Sequence, residues 1–183
     1  MNDETPTTEK TIKNKIIRPY LFKKLFFIWT GKINLFIILK IFFLSFFVIP
    51  KSNNLSVEET NVHIEARVNW DSLNIPEGTP AGGFVPFLKI SSVILNQSTG
   101  LKTFVDLTPH INLIDNFHYA RNIALPGKVD DLYTVEFKIN PPHVYDLAFH
   151  KDWAEKFGKD LFKGKSYTYQ DVDFEEIAKA NRE

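Results

Sequence analysis

The chain of 183 residues contains no cysteine and a single methionine, Met1. The absence of cysteine excludes a disulfide framework, a thiolate zinc site, an iron–sulfur cluster and a lipid-modified cysteine anchor. A metal ion in this protein would therefore have to be bound by histidine, by carboxylate or by Met1. With only eight glycines and ten prolines, and with 44% hydrophobic residues, the chain is neither collagen-like nor disordered.

An excess of one charge is also missing, because 22 basic residues balance 22 acidic ones. The first 50 residues nevertheless carry eight basic and three acidic side chains, whereas residues 51–183 carry 14 basic and 19 acidic ones. Nucleic-acid binding requires clustered Lys and Arg, so the acidic body argues against a nucleic-acid partner. The body is about 130 residues long, which is enough for one domain with its own core.

The basic head is followed by an apolar tract. Residues 1–24 are interpreted as a cytoplasmic n-region, and residues 25–50 as a transmembrane or signal segment whose apolar part begins at Ile33. The apolar part, residues 33–50, is near the minimum length for a helix that crosses a hydrocarbon core of about 30 Å. The positive-inside rule places the body outside the cytoplasm. The bulky residues Phe46–Ile49 do not suit a cleavage site, which favours an uncleaved signal anchor over a removed signal peptide.

Short alternating segments dominate residues 60–174, between a linker at 51–59 and a charged tail at 175–183. From Val62 to Val68, for example, apolar residues alternate with polar ones, as in a half-buried strand. Such strands, separated by turns, predict an all-β antiparallel sandwich, with one or two helical turns between residues 153 and 162. The predicted strands span residues 62–68, 84–96, 101–107, 117–125, 133–139 and 166–174.

No catalytic motif is present: the sequence lacks a Gly-x-Ser-x-Gly elbow, a phosphate-binding glycine loop and a His-Glu-x-x-His helix. We therefore expect no enzyme activity. His63 and Glu65 lie two residues apart on one strand and share a face, although spacing alone favours a solvent-facing polar side of an edge strand. His118 lies between aromatic residues, where a core histidine is the commoner outcome. The histidines are His63, His110, His118, His143 and His150.

Several segments follow one another in a distinctive order within residues 60–174. They are Val62-His63-Ile64-Glu65-Ala66, Gly83-Phe84-Val85-Pro86-Phe87-Leu88, Leu107-Thr108-Pro109-His110, Phe117-His118-Tyr119-Ala120-Arg121-Asn122, Tyr133-Thr134-Val135-Glu136-Phe137 and His150. This series resembles the periplasmic iron-transport protein family, which includes the periplasmic partner of bacterial ferrous-iron permeases. The resemblance covers residues 60–174 and implies an immunoglobulin-like β-sandwich, a homodimer, copper binding and a link to iron uptake.

The resemblance also implies a set of metal ligands. His110 occupies the place where the family has a methionine ligand, so His110 would have to replace that ligand. The family also has a histidine ligand late in the sequence, which His150 matches best and for which His143 is the competing candidate. Imidazole and carboxylate suit divalent copper, zinc and iron, whereas a thioether favours monovalent copper. The implied ligands are His63, Glu65, His110, His118 and His150.

Together these observations predict an exported, periplasmic metal-binding protein of iron uptake that is anchored in, or exported through, the inner membrane. It would capture iron, with a copper-binding site, and hand it to a membrane permease. The cofactor would be copper, iron or both, with zinc and manganese as alternatives. Two other hypotheses remain open: a cupredoxin-like electron-transfer or ferrous-oxidising protein, and an adhesion sandwich whose histidines are incidental.

Overall fold

The elements of secondary structure are taken from a computed structural model, which describes residues 24–29, 34–42, 48, 54–73, 75–113 and 116–179. The predicted n-region at 1–24 lies almost entirely outside the described residues, as does the end of the charged tail. In chain order the elements are β1 (Lys24–Trp29), β2 (Asn34–Phe42), β3 (Val62–Trp70), β4 (Lys89–Asn96), β5 (Lys102–Asn112), β6 (Asn116–Ile123), β7 (Leu132–Asn140), α1 (Lys151–Phe157), β8 (Lys165–Asp173) and α2 (Phe174–Lys179).

The described strands are all antiparallel to their neighbours, in the order β1-β2-β3-β6-β5-β4-β7-β8. Strand β5 joins the two halves of this arrangement, because residues 102–107 pair with β4 and residues 108–112 pair with β6. Pro109, which has no N–H to donate to a sheet, lies just beyond this change of partner. The arrangement confirms the predicted all-β antiparallel sandwich, while the immunoglobulin-like topology stays a prediction.

The apolar face of β3 forms part of a single core that it shares with β4, β7 and β8. Full burial of a Val or Ile side chain contributes about 1.5–3 kcal/mol. The alternation of β3 therefore fixes which of its faces points toward this core. Four apolar residues of β3 are completely buried: Val62, Ile64, Ala66 and Val68.

The opposite face of β3 is also buried, which the sequence did not indicate. His63 is 2% exposed and Glu65 is 3% exposed. Strand β3 pairs with β2 on one side and with β6 on the other. The interpretation of these two residues as the solvent-facing side of an edge strand is therefore wrong, because β3 is not an edge strand and its polar face is covered.

Two of the predicted strands, residues 84–96 and 101–107, pair with each other as the hairpin of β4 and β5, and the first of them is shorter than predicted. Strand β4 begins at Lys89 rather than at Phe84, since Pro86 has no N–H for a ladder and Phe87 adopts a φ of 65°. At the turn, the Oδ1 atom of Asn96 accepts hydrogen bonds from the backbone N–H groups of Ser98 and Thr99 at 2.9 and 3.0 Å. This side-chain cap holds the two strands of the hairpin in register.

The apolar tract of the head contains strands where the sequence predicted a helix. Strand β2 pairs with β3 from Leu35 opposite Trp70 to Phe42 opposite His63, and β1 pairs with β2. Within the described part of the chain, neither helix has the length and apolar character that crossing a membrane requires. Residues 43–47 and 49–53 lie outside the described residues, and the signal anchor stays a prediction.

The two helices are short and flank β8 in the sequence. Helix α1 begins directly after His150 and ends before Gly158, whose φ of 97° favours glycine. It covers only part of the predicted stretch at 153–162. Helix α2 includes the first residues of the charged tail, which was predicted to begin at residue 175.

Candidate metal centre

Three adjacent strands bring three histidines together. His63 lies on β3, His118 on β6 and His110 on β5, and His110 is directly opposite His118 in the pairing of β5 with β6. One potential ligand atom of each histidine lies within 4.8 Å of those of the other two. Because β3 is far in sequence from β5 and β6, only the sheet register places the ring of His63 beside those of His110 and His118.

Glu65 completes this group, which we call the histidine cluster (His63, Glu65, His110 and His118). Its Oε1 atom lies 3.3 Å from Nε2 of His63 and 3.5 Å from Nε2 of His118. The side chains of Glu65, His63 and His118 are each only about 3% exposed. The carboxylate therefore faces two imidazole rings in a nearly water-free environment.

The outward-facing ring nitrogens determine where the protons lie. Nδ1 of His63 is 2.7 Å from Oδ1 of Asn122, and Nδ1 of His118 is 2.9 Å from the backbone carbonyl oxygen of Asn116. Both oxygen atoms only accept hydrogen bonds, so both Nδ1 atoms donate. In a neutral ring the Nε2 atom then carries a lone pair.

Two Nε2 lone pairs thus face one oxygen of Glu65. This arrangement is repulsive unless positive charge lies between the nitrogens and the carboxylate, supplied by a proton or by a metal ion. Two imidazole nitrogens and a carboxylate oxygen are ligands that suit divalent copper, zinc and iron. The donor set of the described residues therefore fits a metal ion.

His110 forms the partly exposed side of the cluster. Its ring centroid lies 5.9 Å from that of His63 and 5.9 Å from that of His118, and its Nε2 atom is 3.3 Å from Oγ1 of Thr108. Burial, followed by the nearby charges of His63, His118 and Arg121, lowers the pKa of His110 from its usual value of 6.5 to about 4. His110 is thus a neutral imidazole over most of the pH range, which is the form that binds a metal.

The other predicted ligand, His150, lies elsewhere in the chain. It is exposed, precedes α1, and lines a cavity of about 710 Å³ together with Trp70 and Trp153. Trp70 ends β3 on the order of 20 Å from His63, at about 3.3 Å per residue. Among the described residues of one chain, His150 is not part of the group whose ligand atoms converge.

Its competitor, His143, is equally separate from the cluster. His143 is exposed, its ring lies 4.9 Å from the ring of Tyr145, and its Nδ1 atom is 3.4 Å from the backbone N–H of Tyr145. These contacts are local to one turn, and they give no reason to prefer His143 to His150 as a ligand.

The residues that orient the histidines were not among the predicted site residues. Asn122 and the carbonyl of Asn116 orient the rings of His63 and His118. A signal for Asn122 was present, because positions 118, 120 and 122 of one strand share a face. No pattern in the sequence indicated that β6 would pair with β3 and place Asn122 opposite His63.

Comparison with known proteins places the chain in a family. The profile of a family described as Fe2+ transport protein matches residues 31–176, which is most of the chain. The protein belongs to this family. The resemblance to iron-transport proteins is thereby confirmed, and the match begins within the predicted membrane segment at 25–50, just before its apolar part and before β2. No curated protein sequence matches the chain.

Solved structures of bacterial proteins share the fold of this Fe2+ transport family member. A copper-bound variant of FetP from uropathogenic Escherichia coli is 23% identical, with a TM-score of 0.62, over 84% of this chain and 97% of that one. A copper-bound variant of P19 from Campylobacter jejuni is 25% identical, with a TM-score of 0.63, over 74% and 87%. Copper-reconstituted Campylobacter jejuni P19 is 21% identical, with a TM-score of 0.64, over 82% and 92%.

Proposed function

We propose that this protein binds a copper or iron ion at the histidine cluster as part of iron uptake. The observation that carries the proposal is the arrangement of two buried Nε2 atoms around one oxygen of Glu65, at 3.3 and 3.5 Å. Membership in the Fe2+ transport protein family supports the link to iron. The copper-bound relatives support copper as an ion that this fold accommodates.

The ligand set favours divalent ions. His63, His110 and His118 offer nitrogen, Glu65 offers oxygen, and the only sulfur of the chain is that of Met1. Borderline ions such as Cu²⁺, Zn²⁺ and Fe²⁺ bind imidazole and carboxylate well, whereas Cu⁺ prefers sulfur. We therefore rank divalent copper and ferrous iron first, with zinc and manganese as alternatives.

A homodimer would reconcile two of the sequence predictions. His150 lies outside the cluster of its own chain, so it would bind the same ion only if a second copy of the protein brought it there. Its exposure and its position directly before α1 leave its ring accessible to such a partner. In this proposal, His150 acts as a ligand only if the protein forms the homodimer.

The proposal further includes export and transfer of the ion. The basic head and the apolar tract favour a body on the periplasmic side of the inner membrane, either anchored there or released. His110, the partly exposed ligand, offers a route by which an ion enters and leaves the buried cluster. Transfer would go to an iron permease in that membrane, and the protein would bind and release the ion without catalysing a reaction.

Two observations separate this proposal from the two alternative functions: the burial of the histidines and the absence of cysteine. Incidental histidines of an adhesion domain would be expected on the surface, whereas His63 and His118 are each 2% exposed. An electron carrier of the blue-copper type needs a cysteine thiolate ligand, and the chain has no cysteine.

Calorimetric titration of the full chain with Cu²⁺ tests the proposal. We expect His118→Ala to weaken copper binding by at least about 100-fold, or about 2.8 kcal/mol, because it removes a buried ligand. His143→Ala is the matched control and should bind copper like the unaltered protein. Equal losses in both variants, with circular dichroism showing that both are folded, would overturn the assignment of the cluster.

A further inference from the structure

Asn122 contacts the histidine cluster from outside and is almost completely buried, with 2% exposure. Its Oδ1 atom lies 2.7 Å from Nδ1 of His63, and its Nδ2 atom donates to the backbone carbonyl of Leu55 at 3.3 Å. Since the carbonyl of Leu55 only accepts hydrogen bonds, the amide group of Asn122 must turn its nitrogen toward Leu55 and its oxygen toward His63.

This orientation sets the tautomer of His63. An oxygen acceptor at Nδ1 stabilises the ring form that carries its proton there, which leaves the lone pair of Nε2 pointing at Glu65 and the cluster. If the amide were reversed or absent, the proton could move to Nε2. In that tautomer Nε2 would donate to Glu65, and the ring would have no lone pair at Nε2 with which to bind a metal ion in the cluster.

The carbonyl of Leu55 is itself held in place by a fixed turn. Ser56 and Glu59 exchange side-chain-to-backbone hydrogen bonds at 3.2 and 3.3 Å, and Oγ1 of Thr60 donates to the carbonyl of Ser56 at 2.6 Å. This reciprocal pattern is the one that caps the start of a helix. Residues 55–60 thus form a hydrogen-bonded turn rather than an irregular linker.

The turn is attached to the end of β6, the strand that carries Asn122. The N–H of Asn61 donates to the carbonyl of Ile123 at 3.2 Å, and Oδ1 of Asn61 accepts from the N–H of Leu125 at 2.8 Å. One backbone hydrogen bond, one hydrogen bond to the side chain of Asn61 and the Asn122 amide therefore join the segment before β3 to the end of β6.

We propose that Asn122 is a positioning residue that, held by the turn at residues 55–60, selects Nε2 of His63 as the metal ligand. This inference rests on the proposed function, in which His63 is a ligand. Loss of an outer partner of a ligating histidine typically weakens metal binding 10–100-fold. We expect an effect in this range when the acceptor on Asn122 is removed.

The test uses three variants of the full chain: Asn122→Leu, Asn122→Asp and Asn69→Leu. Asn122→Leu removes the acceptor, and Asn122→Asp keeps an oxygen at Nδ1 of His63. Asn69→Leu is the matched control, because Asn69 is also a buried asparagine but lies on β3, away from the cluster. Its Nδ2 atom donates to the backbone carbonyl of Gly82 at 2.6 Å.

Nitrogen-15 NMR of the imidazole rings gives the tautomer of His63 in the metal-free protein at mildly alkaline pH. We expect the Nδ1–H form in the unaltered chain, in Asn69→Leu and in Asn122→Asp, and a shift toward the Nε2–H form in Asn122→Leu. Copper titration should show a 10–100-fold loss in Asn122→Leu that is largely restored in Asn122→Asp.

The two readouts separate this inference from the proposed function. The tautomer is measured without metal, so an unaltered chain that shows the Nδ1–H form but binds no copper would overturn the proposed function and leave the orientation by Asn122 intact. An unchanged Nδ1–H signal in Asn122→Leu would overturn the inference, even if copper still binds. If Asn122→Leu does not fold, an Nε2–H form of His63 in Asn122→Asp would overturn it instead.

Discussion

The two ends of β3 both have a histidine nearby, yet they differ in what surrounds it. At the end that begins with Val62, the histidine cluster is buried, and the Nδ1 atoms of His63 and His118 donate to Oδ1 of Asn122 on the neighbouring strand β6 and to the backbone carbonyl of Asn116. At the end that closes with Trp70, His150 is exposed at the rim of an aromatic cavity. The first environment orients two imidazole nitrogens toward the carboxylate of Glu65, and the second leaves the ring of His150 accessible to a partner molecule.

The difference shows what makes a histidine a candidate ligand. A single exposed histidine is an ordinary surface residue, whereas several buried rings need partners for every nitrogen. In the cluster the Nδ1 atoms of His63 and His118 have protein acceptors, so their Nε2 atoms are directed toward Glu65. Convergent orientation, more than the number of histidines, distinguishes the two ends.

The largest effect should come from removing the only carboxylate of the cluster. Without Glu65, no negative charge balances a cation in the buried site. We therefore expect Glu65→Leu to weaken Cu²⁺ binding by about 100-fold or more, or about 2.8 kcal/mol, in calorimetric titration. Glu77→Leu, an exposed carboxylate at the Trp70 end, is the control and should leave copper binding unchanged. Similar affinities for both variants would contradict the distinction between the two ends.

The strand alternation predicted only the shared face of His63 and Glu65, whereas the set of ligands was implied by the family resemblance. The alternation of β3 correctly placed His63 and Glu65 on one face, and the cluster contains four of the five ligands that the family resemblance implied. The pattern could not show that this face is buried, because alternation identifies two faces without identifying the strand that covers each. The pairing of His110 with His118 depends on the register of β5 and β6, which no single segment encodes.

The apolar tract shows a second limit of sequence patterns. An uninterrupted apolar run is compatible with a helix and with a buried strand, because periodicity does not separate the two. Length and the basic flank favoured a membrane helix for residues 33–50, whereas the structure has β2 from Asn34 to Phe42, paired with β3. Only the neighbouring strand, which is distant in sequence, distinguishes these outcomes.

A smaller effect is expected from exchanging the exposed ligand of the cluster. His110→Met replaces a nitrogen donor by a thioether, which favours Cu⁺ over Cu²⁺. We predict about tenfold weaker Cu²⁺ binding and tighter Cu⁺ binding, measured by competition with a chromogenic chelator for each oxidation state. His110→Ala serves as the comparison, since it removes the donor without adding another. If the two variants behave alike toward both ions, His110 does not bind the metal.

The smallest effect concerns the stability of the metal-free chain in mild acid. The pKa of His110 falls from its usual value of 6.5 to about 4 in the folded protein, chiefly because of burial and then because of His63, His118 and Arg121. Between these two pH values, the unfolded chain binds a proton at this position that the folded chain does not. The contribution of His110 to stability is therefore complete above pH 6.5 and is lost as the pH falls toward 4.

Denaturant unfolding of the full chain in the presence of a chelator measures this loss. We expect the free energy of unfolding to decline less steeply between pH 6.5 and pH 4 in His110→Gln than in the unaltered protein, because glutamine does not titrate. Parallel slopes for His110→Gln and the unaltered protein would mean that acid destabilises the fold through other groups.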